Sequence, residues 1–141
     1  MLLDPTKTPV QRNFGWQQTQ YYRITVNFND PGIASGVAFG AMPKGAFIMQ
    51  VSTHVVTGFN AATTNTITIG TTQANANEIV ASGAITAGTP GFSNQTTAAG
   101  LGLAATNAAD VTLWVKYAQT GTAATAGQAV IILEYVMPND L

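Results

Sequence analysis

The chain has 141 residues, of which 46% are apolar and 8% are charged, and its net charge is −1. The apolar content excludes a largely disordered chain, and the length fits one domain. Its five scattered basic residues offer no patch for nucleic acid. The absence of cysteine excludes disulfides and thiol chemistry.

The low charge becomes more informative when it is set against surface area. A folded chain of 14.6 kDa exposes roughly 6,900 Å² by the usual scaling. Its five basic and six acidic residues therefore leave about one charge per 600 Å² of surface. Freely diffusing domains carry denser, mixed charge. We expect faces that are covered by copies of the protein or by a partner, although an uncharged, secreted, threonine-rich β-domain would share this composition.

Residues 1–20 are predicted to form an extended N-terminal arm, because they contain Pro5 and Pro9 and show no period of 2 or 3.6. Large aromatics on a polar arm usually dock somewhere, either on the domain's own core or on a neighbouring subunit. Leu3, Phe14 and Trp16 are therefore candidate interface residues. We expect no secretory signal and no membrane partner, since no suitable apolar run is present.

Residues 21–141 are predicted to form a β-sandwich domain, and its first strand is clearly patterned. Apolar residues recur at every second position from Tyr22 to Phe28, as in a half-buried strand. Turns at 29–32 and 42–45 enclose a short segment at 36–40. A long β-rich run follows at 46–59. Strict alternation in that run would place five residues on one side, namely Phe47, Met49, Val51, Thr53 and Val55.

The next segment, 60–70, is predicted to be a turn followed by a strand with an uncharged polar face. Alternation places Ile67 and Ile69 inward. The same alternation places Thr64, Thr66 and Thr68 outward, where threonine favours the strand and tolerates either water or protein. These three threonines are therefore candidate interface residues.

The last third of the chain combines weak and strong strand signals. Short strands are expected at 78–82 and 84–86, and a long loop at 87–109. Strong strands at 110–118 and 128–136 are joined by 119–127, which has the composition of a hairpin loop. Trp114 is expected inside the sandwich or at a subunit seam, and Lys116 and Glu134 form a possible cross-strand pair. The fold class is all-β: a two-sheet antiparallel sandwich, jelly-roll-like.

No arrangement of residues predicts catalysis, a cofactor or a metal. The carboxylates are not paired in sequence, and no phosphate-binding glycine–lysine motif or nucleophile elbow is present. His54 lies mid-strand and is interpreted as structural, since one histidine without cysteine makes no usual zinc site. Two binding functions stay open: an ice-binding row of threonines, which occurs only once, and a sugar site using Trp16, Trp114 or Tyr117.

The order of several motifs resembles a known family. The segments are Phe39-Gly40, Pro43-x-Gly45, Phe47-Ile48, Val55-Val56-Thr57, Phe59-Asn60, Thr64-x-Thr66-x-Thr68-Ile69-Gly70, Gly121-Thr122-Ala123-x-x-Ala126-Gly127 and Glu134-Tyr135. Over residues 20–136 this order resembles small structural proteins from the head gene clusters of tailed bacteriophages. Among them are capsid decoration, or cement, proteins with jelly-roll-type sandwiches.

The resemblance implies a non-enzymatic virion protein that stabilises a phage head from the capsid exterior. Its implied partners are the major capsid protein and copies of itself, with a homotrimer favoured over a dimer. A tail or neck component of the same virion and a carbohydrate-binding module are the alternatives. A sugar binder would retain glycan affinity as an isolated subunit, whereas a cement protein would bind capsids instead.

Deletion of residues 1–16 tests the role of the arm. We expect the truncated chain to keep its β-sandwich by circular dichroism, because Pro5 and Pro9 cannot join the middle of a sheet. Oligomer formation or capsid binding should weaken, because the arm carries Phe14 and Trp16. A truncated protein that assembles as well as the full chain would contradict this.

Overall fold

The computed structural model describes residues 19–95 and 109–136, and within these ranges it contains seven strands and no helix. No helix long and apolar enough to cross a membrane occurs in the described residues. The strands are β1 (Thr19–Asn27), β2 (Val37–Met42), β3 (Phe47–Thr57), β4 (Thr64–Gly70), β5 (Gly91–Gln95), β6 (Val111–Thr120) and β7 (Gln128–Val136).

The strands form two antiparallel sheets that pack as a sandwich, which confirms the predicted fold class. The four-stranded sheet has the order β1-β7-β3-β5, and the three-stranded sheet has the order β2-β6-β4. β7 therefore has a hydrogen-bonded neighbour on each side, and so does β6. Residues 1–18 lie outside the described residues, so the division into an arm and a sandwich stays a prediction.

The core lies between the inner faces of the two sheets. Each fully buried aliphatic or aromatic side chain contributes about 1.5–3 kcal/mol relative to exposure, so these positions carry most of the stability. The largest side chains with almost no exposure are Tyr117, Phe59, Met42, Ile48, Ile67, Ile69, Ile85, Leu113, Ile131, Leu133, Val26 and Val51.

Three strands match their sequence patterns closely. β1 alternates between exposed Arg23 and Thr25 and the more buried Ile24 and Val26. β4 buries Ile67 and Ile69, as predicted. β7 covers the predicted residues 128–136, with every second side chain buried from Ala129 onward.

The alternation predicted for β3 is wrong in its first half. Ile48 is buried, whereas Phe47 and Met49 are exposed. The register against β7 shifts between Ile48 and Gln50, which marks a β-bulge. A bulge adds one residue to the strand and moves the following side chains to the opposite face. Val51, Thr53 and Val55, which follow the bulge, therefore point inward as predicted. Phe47 and Met49 point outward, contrary to the prediction.

The predicted strands at 78–82 and 84–86 are absent, and a strand lies inside the predicted loop. Residues 78–86 contain only an isolated bridge between Val80 and Ile69. Ile79, Val80 and Ile85 are nevertheless buried, so their apolar character serves the core without a ladder. β5 forms at 91–95 because β3 offers it an edge to pair with.

Residues 119–127 are not a hairpin loop, because β6 and β7 belong to different sheets. The segment crosses from one sheet to the other. Lys116 lies opposite Thr68, and Glu134 lies between Tyr21 and Gln50. The predicted cross-strand pair of Lys116 and Glu134 is therefore wrong.

This crossing is held at one end of the sandwich by Asn60 and by two aromatic rings. The Asn60 Oδ1 accepts hydrogen bonds from the backbone N–H groups of Thr125 at 2.8 Å and Ala126 at 3.0 Å. The Phe59 and Tyr117 rings pack with their centroids 4.6 Å apart. A side chain at Gly127 would overlap the Phe59 ring, so the crossing requires glycine there.

Gly127→Ala tests this close approach. Gly127 has φ of 153° and contacts Phe59, whereas Gly83 has φ of 85° and nothing within 4 Å of the position that a methyl group would take. Both alanine variants suffer backbone strain, but only Gly127→Ala also overpacks the core, for a further cost of about 1–3 kcal/mol. Thermal unfolding should show a clearly lower Tm for Gly127→Ala than for Gly83→Ala. Equal losses would show that the contact with Phe59 relaxes freely.

Candidate functional site

An assembly protein would use an outer face of the sandwich, and the threonine row lies on the outer face of the three-stranded sheet. The β4–β6 register sets Thr64 opposite Thr120, Thr66 opposite Ala118 and Thr68 opposite Lys116. Side chains that are directly opposite in an antiparallel pair share a face. The three predicted interface threonines therefore share one surface.

The three threonines differ in accessibility along that surface. Thr64 is exposed, with its Oγ1 2.7 Å from the Oγ1 of Thr120. Thr66 is half-buried and donates its hydroxyl proton to the Ala118 carbonyl oxygen at 3.2 Å. Thr68 is only 9% exposed. The expected outward row is thus covered towards Thr68, and the interface role of these residues stays a prediction.

The loop after β4 provides that cover, and the Glu78 carboxylate holds it in place. One carboxylate oxygen, Oε2, accepts hydrogen bonds from the Thr71 N–H at 3.0 Å and the Asn77 N–H at 3.2 Å. Burial favours a higher pKa for Glu78, but hydrogen bonds from its own N–H, Thr71, Thr72 and Asn77 outweigh it and lower the pKa below its ordinary value.

A shallow groove of about 190 Å³ separates this loop from the strands. Lys116 lines it and donates an Nζ hydrogen bond to the Ala74 carbonyl oxygen at 3.4 Å. Since the lysine is held by the loop backbone and the rest of the lining is small or neutral, the groove has no concentrated charge. The lining residues are Thr66, Thr68, Ala74, Asn75, Ala76, Asn77, Ser82, Lys116 and Ala118.

The outer face of the four-stranded sheet has a different character. All the exposed large apolar side chains of the described residues lie on strands of this sheet. The half-buried side chains of β7 lie between them. We define the apolar face as Tyr21, Phe47, Met49, Phe92, Val130, Ile132 and Val136.

The strand register places these residues on one face of the sheet, with some polar side chains between them. Val136 lies opposite Thr19 and Phe47, and Ile132 lies between Arg23 and Ser52. Tyr21 is 66% exposed. Apolar side chains that share one exposed face of a sheet are a candidate interaction surface.

At the β5 edge of the apolar face, Phe92 stacks on His54. Their ring centroids are 4.0 Å apart and the rings are nearly parallel, at 13°. Phe92 is 83% exposed, so its outer ring surface is available to a partner. Within residues 19–95 and 109–136, no three histidine or acidic side chains cluster as metal ligands would. The stacking makes His54 part of an aromatic surface.

The structure revises the roles expected for two other aromatics. Trp114 is half-buried on the outer face of the three-stranded sheet, opposite Ala38 and Gly70. It does not pack inside the sandwich, because Leu113 and Val115 take the inward positions, and the alternative place at a subunit seam stays a prediction. Tyr117 is 2% exposed and donates its hydroxyl proton to the Asn65 Oδ1 at 2.6 Å. It therefore presents no surface to a sugar.

Sequence reasoning missed the apolar face, although the sequence contains a signal for it. In β7, apolar residues occupy consecutive positions from Ala129 to Leu133. Such a run is typical of a strand that is covered on both faces. Leu3, Phe14 and Trp16, the other predicted interface residues, lie outside the described residues.

No family model matches the chain, and no curated protein matches it in sequence. Solved structures do share its fold. One is a chain of the capsid asymmetric unit of cyanophage Pam1, with 19% identity, a TM-score of 0.67 and coverage of 95% of both chains. Another is from the capsid of Ralstonia phage GP4, with 21% identity and a TM-score of 0.59. It covers 95% of this chain and 92% of that one. The shared architecture therefore spans nearly the whole of each chain.

Glu78→Gln tests the loop that covers Thr68. The lowered pKa means that ionised Glu78 stabilises the fold above its ordinary pKa, near 4.5, and that this stabilisation disappears as pH falls through the folded-state pKa. The Tm difference between the unmodified protein and Glu78→Gln should be largest at neutral pH and shrink in acid. Gln73→Ala is the control, since it removes the hydrogen bond from the same loop to Gly36 without removing a carboxylate. A Tm difference for Glu78→Gln that is independent of pH would contradict the assignment.

Proposed function

We propose that this chain is a structural protein of a phage particle, and that it decorates the outside of the head as a homo-oligomer. The observation that carries the proposal is the shared fold over 95% of the chain with chains from two phage capsid structures. The resemblance of its sequence motifs to decoration proteins supports the same role.

The apolar face supplies the physical means of attachment. Each large side chain that it buries against a protein shell contributes about 1.5–3 kcal/mol. Arg23 and Glu134 are the charged residues on this face, so a partner surface that is largely neutral would bury few unpaired charges. We propose that the shell of the head is the partner that covers it.

Many copies on one symmetrical shell make weak single contacts sufficient. A stable protein interface buries about 1,200–2,000 Å² in total, which is more than seven side chains provide alone. Contacts between neighbouring copies add to the contact with the shell, and linked contacts raise the overall affinity without stronger individual ones. Homo-oligomer formation is therefore part of the proposal, with a trimer favoured over a dimer.

The proposed role is non-enzymatic and requires no cofactor. The polar side chains with the most hydrogen bonds, Asn60, Asn65 and Glu78, bind their own chain's backbone. They hold loops together, so they act in the architecture of the sandwich. A tail or neck position in the same particle is the alternative, and binding to isolated heads distinguishes it.

Binding of the purified protein to empty heads of the phage that carries this gene tests the proposal. Phe92→Asp should raise the Kd for heads roughly 10- to 100-fold, because it removes about 1.5–3 kcal/mol of apolar burial and adds a charge. Thr112→Asp introduces the same charge at an exposed position of the other outer face and should leave the Kd unchanged. Co-sedimentation over a concentration series measures both variants.

Thr64→Asp, measured in the same series, tests the predicted threonine interface. A loss for Thr64→Asp with none for Phe92→Asp would move the contact to the three-stranded sheet and contradict the use of the apolar face. An unmodified protein that does not bind heads, or that binds glycans as a single subunit, would contradict the decoration role.

A further inference from the structure

An apolar groove of about 300 Å³ lies at the open seam between the two sheets. It runs between β1 and β2, which are edge strands of different sheets. Thr25 and Asp30 are polar residues beside it, whereas most of its lining is apolar. Its apolar side chains are Ile24, Val26, Ile33, Val37, Phe39 and Val115.

Hydrogen bonds fix both ends of this groove. At one end the Tyr22 hydroxyl donates to the Ala41 carbonyl oxygen at 2.7 Å and accepts from the Ala41 N–H at 3.3 Å, which ties β1 to β2. At the other end the Asp30 carboxylate accepts hydrogen bonds from the Asn27 N–H at 2.7 Å and from its side-chain Nδ2 at 3.1 Å. The groove is therefore preformed and needs little ordering to accept an occupant.

The chemistry of the groove suits one large aromatic with a polar edge. Tryptophan buries about 150–250 Å² and usually finds a hydrogen-bond acceptor for its indole N–H. Asp30 lines the groove, and its carboxylate can accept such a bond. Trp16 and Phe14 lie in the segment just before β1, so the chain itself carries side chains of this kind.

We propose that the groove binds Trp16 of a second copy of this chain. The segment that carries Trp16 thus clasps the neighbouring subunit at the seam between its sheets. This inference deepens the homo-oligomer part of the proposed function and names the contact that forms it.

The reach of the chain excludes docking of Trp16 in its own groove. Ile24 lies five residues beyond Thr19 along β1, which is about 17 Å at 3.3 Å per residue. Even the tightest two-residue reversal, through Gln17 and Gln18, leaves Trp16 beside Thr19. Only another copy, placed with its Thr19 within about 11 Å of this groove, brings Trp16 to it.

This clasp restricts the symmetry of the assembly. Reciprocal exchange of the two segments gives a twofold dimer, whereas insertion of each segment into the next copy gives a closed ring such as a trimer. Both arrangements occupy every groove. They differ in stoichiometry and share the same local contact.

Disulfide trapping in this cysteine-free chain tests the clasp. Gln17→Cys places a thiol beside Trp16 and leaves the tryptophan intact, while Thr25→Cys places one at an exposed position beside the groove. The two single variants are purified separately, mixed and oxidised mildly. A disulfide-linked pair in this mixture can only join two copies.

We expect the mixed variants to form the linked pair on the order of 100-fold faster than Gln17→Cys mixed with Thr112→Cys, because docked thiols react at a millimolar effective concentration. Adding Trp16→Ala to the Gln17→Cys chain should abolish this advantage, and Trp16→Phe should retain part of it. Non-reducing electrophoresis measures the rate.

Several outcomes would overturn the clasp. The clasp is contradicted if Gln17→Cys links to Thr25→Cys no faster than to Thr112→Cys. It is also contradicted if the fast linkage to Thr25→Cys persists when Trp16→Ala is added. A doubly substituted Gln17→Cys/Thr25→Cys chain that closes only on itself would show docking within one copy. A protein that sediments as a single chain at high concentration would also exclude the clasp. The test needs no phage heads, so these results are independent of the failure or success of head binding.

Discussion

From Ala129 to Leu133 the inner strand β7 is apolar on both of its faces, and much of the molecule follows from that constraint. Ala129, Ile131 and Leu133 face the core, and Val130 and Ile132 face outward. A sheet with one solvated face normally alternates apolar and polar residues, whereas a strand covered on both sides does not. One cover of β7 is the three-stranded sheet. Within residues 19–95 and 109–136 no second layer covers the outward side chains of β7, and the proposed function would supply one.

The two outer faces deal with the scarcity of charge in different ways. On the three-stranded sheet, the hydroxyl groups of Thr64 and Thr66 are satisfied within the sheet by Thr120 and Ala118. Lys116 is held by the Ala74 carbonyl oxygen, so the polar groups of that face already have partners and gain little from a new one. On the apolar face, Phe92 and Tyr21 remain exposed. With few charges on either, the outer face of the three-stranded sheet gains little from a partner, whereas the apolar face gains free energy when it is covered.

The sequence predicted those elements whose side-chain pattern reflects one regular ladder. β1 and β4 were predicted for this reason, since each alternates without interruption, whereas β7 was predicted from its continuous run of apolar residues. The face of Phe47 and Met49 was predicted wrongly because a bulge shifts the register at Ile48 and Gln50, and a shift of one residue reverses the face. β5 was missed because its five residues owe their conformation to the edge of β3. Turn-forming residues at 119–127 fit a hairpin and a crossing equally well, so only the sheet order decides between them.

The pairing of β1 with β7 joins Thr19 to Val136 across nearly the entire described chain. During synthesis the three-stranded sheet can form as soon as β6 has left the ribosome, but β1 has no neighbour in its own sheet until β7 follows. Closing such a long loop is slow. The apolar face consists of side chains from β1, β3, β5 and β7, so it does not exist on a nascent chain. The surface proposed to bind the head thus becomes available only after translation of the sandwich is complete, which separates production of the protein from its attachment.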